Sequence, residues 1–379
     1  MASEIRVNTI NNSSGLGTIS ISNSGQVISG ITTVASLYSN TINDGPLSGS
    51  RNMIINGAME VNQRRFTGAA GTTLTSSFGP DRWVNVFSHD GAISVGQTVM
   101  NSTVGGDAYA DGFQKAFILR MTTGDGTIAA GQYQLVQQYI EGNNLQGIKK
   151  GTANAKPTTL SFWVRSSTTG TYIFDLIDED NQRHISRSYT INSPNTWEKK
   201  ILTFPADTTG VVTSDETLGF RMSWWLAAGS NFASGTLNTS WVGLTTTNRA
   251  VGQVNGIATT GNSFMLTGVQ YEVGTNASEF ERRSYNHELN LCQRYFQRCH
   301  SDTYLFANGA GATIYHGLSW LSMRATPTVR RESQTAYSNT SAVSILANDE
   351  NGGRYAITVA VAGYAGAAIT FTLDAEVPS

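Results

Sequence analysis

Apolar and polar residues alternate in short runs along most of the chain, and this alternation predicts β-strands. Between residues 51 and 283 the runs are separated by dipeptides that favour tight turns, among them Asn56-Gly57, Asp90-Gly91 and Asn255-Gly256. About eleven short strands in roughly 230 residues are typical of a jelly-roll β-sandwich. The strand candidates are NMIINGAMEV, DRWVNVFS, AISVGQTVM, FQKAFILRM, YQLVQQYI, TTLSFWVRSS, GTYIFDLID, RHISRSYTIN, WEKKILTFP, LGFRMSWWLA and SFMLTGVQYE.

The period changes after this region, where an apolar stripe at spacings of four and three predicts a short linking helix over 284–300. Its members are Tyr285, Leu289, Cys292, Phe296 and Cys299. About two heptads are too few for an independent coiled coil, so the helix either lines a threefold axis or caps one end of the sandwich. Its two cysteines would lie ~10 Å apart along the axis, too far for a disulfide, and are interpreted as buried thiols.

Residues 301–379 alternate again and predict a small C-terminal β domain. Its most apolar stretch, 355–373, approaches the length of a membrane-spanning helix, which needs ~20 strongly apolar residues. Gly363 and Gly366 interrupt the stretch, and alanine and threonine are frequent in it, so a hairpin of two strands is predicted instead. Few large apolar side chains give this domain a thin core, which favours one third of a trimeric knob.

The sequence of residues 1–50 predicts brief strands separated by turns rich in Asn, Ser and Gly, and Tyr38 is the only aromatic residue in this segment. A segment so poor in large side chains cannot bury enough surface to fold alone. We therefore expect it to be ordered by pairing with copies of itself or by docking on a partner. The alternative is a disordered tail.

The composition of the chain limits the binding partners and the cellular location that we expect for it. Charged residues make up 14% of the chain, against about 25% in ordinary globular proteins. The formal net charge of −2 gives no electrostatic reason to expect a nucleic acid or an anionic membrane as a partner. The start MASEIRVNTI lacks the basic residues and apolar run of a secretory signal, so the chain is expected to stay in the cytoplasm where it is made until it is released.

Two outward-facing aromatic and arginine pairs are candidate carbohydrate-binding residues. In LGFRMSWWLA, alternation places Leu218, Phe220, Met222, Trp224 and Leu226 on the core face. Arg221 and Trp225 then share the outer face, and in LSFWVRSS the same reading turns Trp163 and Arg165 outward. An indole beside a guanidinium can stack on a sugar ring and hydrogen-bond its hydroxyls. The alternative is that both tryptophans pack under loops or against a sister chain.

Asp175, Asp178 and Asp180 lie close together in the sequence and are weak candidates for a structural calcium site. A calcium loop starting at Asp178 would have Arg183 where glycine is needed and Tyr189 where glutamate is needed, so it is not an EF-hand. The alternative is a solvated hairpin tip.

The sequence carries no G-x-S-x-G, H-E-x-x-H or phosphate-loop motif, so it predicts no cofactor and a protein that is not an enzyme. A glycosidase carboxylate pair cannot be recognised without geometry, which keeps polysaccharide cleavage as an alternative.

Several segments together resemble tail fibre proteins of bacterial viruses. They are VQYEVG, ERRSYNHELNLCQRYFQ, RNMIINGAMEVNQRR, PDRW, LSFWVRSSTTGTYIFDL, MRATPTV and FTLDAEV, and they span most of the chain. In the central third, the order QQYIEG, LSFWVRSSTTGTYIF and TWEKKILTFP also resembles jelly-roll carbohydrate-binding modules.

This resemblance implies an all-β homotrimeric fibre that attaches the virion to the host surface by binding a glycan, either lipopolysaccharide or capsule. Residues 1–50 would attach to the tail or to an adaptor protein, residues 51–283 would be the sandwich, and residues 301–379 the distal head. In that head Tyr315, His316 and Trp320 are candidate contact residues. Two alternatives stay open: a free-standing carbohydrate-binding module, and a polysaccharide depolymerase like a tailspike.

Overall fold

The structure is a computed structural model that describes residues 50–64, 76–337 and 339–376, together with the antiparallel strand pair Thr41–Ile42 and Gly45–Pro46. The rest of the attachment segment predicted over 1–50 lies outside the described residues. Within the described residues the fold is all-β, as predicted, and no helix there is long and apolar enough to cross a membrane.

The strands, in chain order, are β1 Thr41–Ile42, β2 Gly45–Pro46, β3 Ser76–Phe78, β4 Val84–Ser88, β5 Ala92–Val99, β6 Lys115–Thr123, β7 Tyr133–Glu141, β8 Thr158–Ser166, β9 Gly170–Asp178, β10 Arg183–Ile191, β11 Glu198–Phe204, β12 Leu218–Ala228, β13 Val242–Gly243, β14 Ser263–Val273, β15 Phe296–Ala307, β16 Thr313–Ser319, β17 Thr328–Ala336, β18 Thr340–Ala347, β19 Gly352–Val359 and β20 Gly363–Asp374. The helices are α1 Gly106–Ala110, α2 Ser230–Ala233 and α3 Tyr285–Gln293, with 3-10 turns at Gly142–Ile148 and Thr246–Asn248.

Twelve of these strands form a two-sheet jelly-roll sandwich, which confirms the predicted fold class. One sheet has the order β13-β10-β9-β12-β7-β4-β3 and the other β11-β8-β14-β6-β5. The inward faces of the two sheets share one apolar core, with the indoles of Trp83 and Trp224 5.4 Å apart and Phe174 4.8 Å from Trp224. Burial of such rings supplies much of the stabilisation of a sandwich.

The alternation predicted for β12 is present. Phe220, Met222 and Trp224 are fully buried in the core between the sheets. Pairing with β7 shifts register near each end of the strand, and near its start Leu218 is only partly buried and packs in a smaller cluster. The period-two pattern therefore locates the core face correctly from Phe220 to Leu226 and is wrong at Leu218, which lies before a register shift.

The linking helix is shorter than predicted. α3 begins after Ser284, whose side chain accepts a hydrogen bond from the His287 backbone, and ends at Gln293. Phe296 already starts β15, and Cys299 lies opposite Phe371 of β20. Two heptads of apolar spacing do not fix where a helix ends, because backbone pairing with β20 satisfies the same amides.

The C-terminal domain consists of two three-stranded sheets, with orders β15-β20-β17 and β16-β19-β18. The apolar stretch 355–373 does supply two strands, but they belong to different sheets, so the predicted hairpin is wrong in its pairing. Its alanines instead line the thin core between the sheets, around Tyr355, Ile357 and Phe371.

A set of charged side chains joins the sandwich to the C-terminal domain. Arg64 lies between two rings, 3.9 Å from the centroid of Phe78 and 3.7 Å from that of Phe296. Its side chain is 6% exposed and pairs with Asp374 at 3.2 Å and with Glu376 at 3.3 Å. A guanidinium removed from water is tolerated because carboxylates and ring faces surround it.

A second arginine completes this junction. Arg82 is 2% exposed, forms an ion pair with Glu376, and lies 3.5 Å from the ring centroid of Tyr295. Arg324 donates hydrogen bonds of 2.9 Å to the Ala375 carbonyl and 3.1 Å to the Glu216 carbonyl. We call the Arg64, Arg82 and Glu376 cluster the buried junction.

Candidate functional site

The outer face of the seven-stranded sheet carries the polar and aromatic side chains that alternation turned away from the core. Arg221 of β12 lies opposite Tyr139 of β7, and Trp225 opposite Leu135. Between these pairs Ser223 lies at the centre of the row, opposite both Gln137 of β7 and Asp175 of β9. The face predicted for Arg221 and Trp225 is therefore the face they occupy.

A cavity of about 350 Å³ opens on this face. Strands β4, β7 and β12 form its floor, while α2 and the turn after Thr246–Asn248 supply its rim. Its lining residues are Val86, Tyr133, Leu135, Gln137, Tyr139, Arg221, Trp225, Phe232 and Arg249. The volume and the mixture of rings with a few polar groups are those of a small-ligand site.

Trp225 lies on the expected face but packs under neighbouring segments, which is the alternative that the sequence left open beside an exposed stacking ring. Its side chain is fully buried, because the Phe232 ring lies 5.3 Å away and the Arg249 guanidinium 5.1 Å from the indole centroid. The indole thus forms the floor of the cavity and presents no open face to a sugar. The partly exposed rings are Tyr133 and Phe232, which meet edge to face at 5.4 Å.

Hydrogen-bonding groups are arranged along the floor. The Tyr139 hydroxyl donates to Gln137 Oε1 at 2.9 Å, and Gln137 Nε2 donates to Ser223 Oγ at 2.8 Å. Three N–H groups of lining side chains find no acceptor within the described part of the chain: Trp225 Nε1, Arg221 Nε and one terminal nitrogen of Arg249. Unsatisfied donors beside a cavity are costly in a closed fold and typical of a place where a ligand supplies oxygens.

Asp175 holds Arg249 over the cavity. Its carboxylate is fully buried and accepts 2.7 Å from Arg249 Nε, with His184 Nδ1 and Ser186 Oγ each at 3.2 Å from the other oxygen. Burial alone would raise the pKa of Asp175, but Arg249 and His184 outweigh burial, so its pKa lies below the usual value. Asp175 is therefore ionised at neutral pH and fixes the arginine.

The same group contains the residue types of a nucleophilic triad without the geometry of one. Ser186 donates its hydroxyl to Asp175, and the second ring nitrogen of His184 is 2.7 Å from Asn238 Nδ2. Because the serine is not hydrogen-bonded to the imidazole, this arrangement positions Arg249 and does not activate a hydroxyl.

The second predicted pair lies on the opposite sheet, away from the cavity. Trp163 donates through Nε1 to Asp111 Oδ2 at 2.9 Å and packs in a small cluster with Trp197. Arg165 donates to the Asn195 carbonyl at 2.8 Å. Burial, with a smaller contribution from Arg120, lowers the pKa of Arg165. These residues follow the packing interpretation and do not join Trp225 in one site.

The candidates in the C-terminal domain are also separate from the cavity. Tyr315 is 59% exposed on β16, with the Arg354 guanidinium 5.0 Å from its ring centroid. His316 follows it and is exposed. Trp320 donates to the Glu350 carbonyl at 3.1 Å and is half-buried against the domain core.

The three aspartates considered for calcium do not converge. Asp175 binds Arg249 on the outer face, whereas Asp178 pairs with Lys150 at 2.5 Å. Asp180 accepts from the Thr213 backbone at 2.8 Å. Among the described residues no group of three or more His, Cys, Asp or Glu side chains is arranged to hold a metal ion.

Of the nine residues that line the cavity, sequence reasoning named Arg221 and Trp225 and missed the other seven. Tyr133 lies on the same face as Leu135 and Gln137, and the alternation of YQLVQQYI contains that information. Phe232 and Arg249 come from segments read as loops, where no period indicates which way a side chain points.

No protein-family model matches the chain. No curated protein matches it either.

Solved structures with partial likeness include the enzymatically active domain of tailspike protein 4 of bacteriophage CBA120, at 13% identity and a TM-score of 0.30. That match covers 59% of this chain and 21% of the tailspike chain, so this chain spans about a fifth of the tailspike's length. A family 61 carbohydrate-binding module in complex with β-1,4-galactotriose matches at 11% identity and a TM-score of 0.28, over 60% of this chain and all of the module. A family 11 module from Clostridium thermocellum, in complex with a mixed-linked tetrasaccharide, matches at 11% identity and a TM-score of 0.27, over 52% of this chain and 91% of the module.

Proposed function

We propose that this chain is a non-enzymatic tail fibre protein of a bacterial virus that attaches the virion to a glycan of the host surface. The observation that carries glycan binding is the cavity on the outer sheet face, where the partly exposed rings of Tyr133 and Phe232 meet N–H donors that lack acceptors. Sugars offer an apolar ring face for stacking and hydroxyl oxygens for such donors.

The virion role is supported by the resemblance to tail fibre proteins and by where its segments lie. RNMIINGAMEVNQRR contributes Arg64, PDRW contributes Arg82, and FTLDAEV contributes Glu376, and these three side chains form the buried junction. The resembling segments thus build one structural joint between two β domains. In this proposal residues 1–50 attach to the tail or an adaptor protein, and the chain, made in the host cytoplasm, ends in the virion.

If the chain forms a homotrimer, the virion can attach tightly to the host surface even though each single glycan site binds weakly. Three cavities per fibre, and several fibres per particle, raise the effective concentration of sites at a surface that repeats the same sugar. Light scattering on a sizing column should therefore give three times the chain mass of 40.7 kDa. A monomer would favour the alternative of a free-standing carbohydrate-binding module.

The binding test compares Tyr133→Ala/Phe232→Ala with Tyr285→Ala, which removes an exposed ring on α3 outside the cavity. Full-length protein is measured for binding to immobilised lipopolysaccharide and capsule from candidate hosts. We expect the cavity variant to lose at least about tenfold in affinity, equivalent to about 1.4 kcal/mol, and the control to bind normally. Equal binding by all three proteins would remove the cavity from the proposal.

The same polysaccharides are sized after incubation with the protein. Unchanged length is the expected result. Progressive shortening would overturn the non-enzymatic proposal and favour a depolymerase.

A further inference from the structure

The C-terminal domain exposes a group of aromatic rings on one sheet face. Tyr304, Phe306 and Tyr364, on the adjacent strands β15 and β20, are 58%, 54% and 58% exposed. Their neighbours Ala307 and Ala365 face inward and are buried in the domain core. Large apolar rings gathered on a solvent-facing sheet indicate a contact surface, since single exposed rings are ordinary but clusters are not.

The rings have a defined mutual geometry. Tyr304 and Tyr364 have parallel planes, within 1°, and centroids 5.5 Å apart, while Phe306 meets Tyr364 at 65° and 5.0 Å. Tyr337 lies 6.3 Å from Tyr304, and its hydroxyl donates to Asp302 Oδ1 at 2.9 Å. We call Tyr304, Phe306, Tyr364 and Tyr337 the aromatic platform.

Gly366 leaves the space that the rings of Tyr304 and Tyr337 occupy. A Cβ on Gly366 would lie 2.6 Å from a ring carbon of Tyr304 and 2.9 Å from one of Tyr337, closer than real contacts allow. The rings therefore lean over the bare backbone of β20 from both sides. They are held in position by the sheet beneath them while their other faces stay open.

The exposed area indicates the size of the partner. A Tyr or Phe side chain carries roughly 150–250 Å², so three rings a little more than half exposed present on the order of 300–400 Å². A stable dimer interface needs roughly 800 Å² per partner, about twice that area. The platform is too small to hold a second copy of the chain by itself and matches two or three rings of a saccharide.

The polar surroundings indicate the chemistry. Asp302 accepts a hydrogen bond from the hydroxyl of Tyr337, one of the platform rings. Phenol hydroxyls and a carboxylate beside open ring faces suit uncharged sugars, whose C–H faces stack and whose hydroxyls donate and accept.

We propose that the aromatic platform is a second saccharide-binding surface, taking a short neutral pyranose chain by stacking, independent of the cavity on the sandwich. The two sites then lie in different domains of one chain. Occupying both on one polysaccharide strengthens attachment through effective concentration.

The test uses saturation-transfer NMR on the full-length chain, with linear hexasaccharides of β-1,4-glucose, α-1,4-glucose, α-1,6-mannose and β-1,4-N-acetylglucosamine at millimolar concentration. To separate platform binding from cavity binding, every measurement is made in the Tyr133→Ala/Phe232→Ala background as well. That background isolates the platform, so failure of the cavity proposal and failure of this one give different results.

The variant Tyr304→Ala/Tyr364→Ala should reduce binding of at least one hexasaccharide by tenfold or more in the cavity-disabled background. The matched control is Tyr285→Ala, which removes a tyrosine that is 55% exposed on α3, outside both the platform and the cavity. Tyr304→Phe/Tyr364→Phe keeps the stacking faces and should retain most of the affinity, which also guards against loss through misfolding.

Two results would overturn the proposal. One is unchanged binding by the double alanine variant, and the other is no binding of any hexasaccharide in the cavity-disabled background. If binding is unchanged and light scattering shows that the double alanine variant loses an oligomer formed by the native chain, the platform belongs to contacts between copies.

Discussion

At the scale of single residues, the shape of the cavity depends on Asp175, a carboxylate that does not line the cavity but positions Arg249, which does. Asp175 is fully buried and acts through Arg249, whose guanidinium covers Trp225 and forms part of the cavity wall. Position along the strand predicted which face Trp225 would share with Arg221. Exposure was not predictable, because the covering groups, Phe232 and Arg249, come from irregular segments whose path depends on the finished sheet.

Replacing Asp175 with asparagine should destabilise the protein by about 3 kcal/mol at neutral pH, because it leaves Arg249 next to the sheet without its anion. Urea unfolding measures the loss. The variant should also bind glycan more weakly than its remaining folded fraction accounts for, since Arg249 is no longer held over the cavity. Asp111→Asn, which alters an exposed carboxylate bonded to Trp163, should cost far less.

The pH dependence of stability gives an independent check on Asp175. Its folded-state pKa is lowered from the usual 3.8, so the ionised carboxylate contributes stability above its unfolded-state pKa. That contribution is lost as the pH falls through the lower folded-state pKa. The native protein should therefore lose more stability between neutral and strongly acidic pH than Asp175→Asn does, and parallel pH profiles would contradict the assignment.

At the scale of elements, alternation located strands and their faces but not their partners. The stretch 355–373 supplied two strands as expected, yet β19 and β20 pair in different sheets, because period two says nothing about which neighbour a strand finds. The same limit applied to the linking helix. The spacing from Tyr285 to Cys299 fits about four helical turns, but the last four residues, from Phe296 to Cys299, pair with β20 as part of strand β15.

The glycine of the turn predicted at Asn56-Gly57 is required by tertiary packing as well as by the turn itself. Asn56 takes the left-handed conformation, with φ 59°, and a Cβ on Gly57 would lie 2.1 Å from the Val269 carbonyl oxygen of β14. Gly57→Ala should therefore destabilise the fold by roughly 1–3 kcal/mol, as overpacking against backbone does. Gly147→Ala is the control, since nothing lies within 4 Å of its added methyl. Equal unfolding midpoints for the two variants would contradict this, because they would show that β14 can move away from the added methyl group without a loss of stability.

At the scale of the whole molecule, the buried junction brings together short segments that lie far apart in the sequence. Arg64, Arg82, Arg324 and Glu376 are distant in sequence and meet where the sandwich ends and the C-terminal sheets begin. Charges this deeply buried are stable only as a complete set, so each segment depends on the others. The sequence pattern revealed the segments, while their meeting point followed only from the three-dimensional pairing of β15 with β20.

Glu376→Gln tests this coupling, because it removes the carboxylate shared by two arginines that are 6% and 2% exposed. We expect a loss of about 3 kcal/mol, concentrated at the joint. The thin-cored C-terminal domain should then melt separately from the sandwich, so that calorimetric and van't Hoff enthalpies disagree. Glu332→Gln breaks an ion pair with Arg298 whose two side chains are about one third exposed, and its effect should stay below ~1 kcal/mol. A single unchanged transition in Glu376→Gln would mean that the two domains are held together by backbone pairing and apolar contacts, with the buried charges contributing orientation alone.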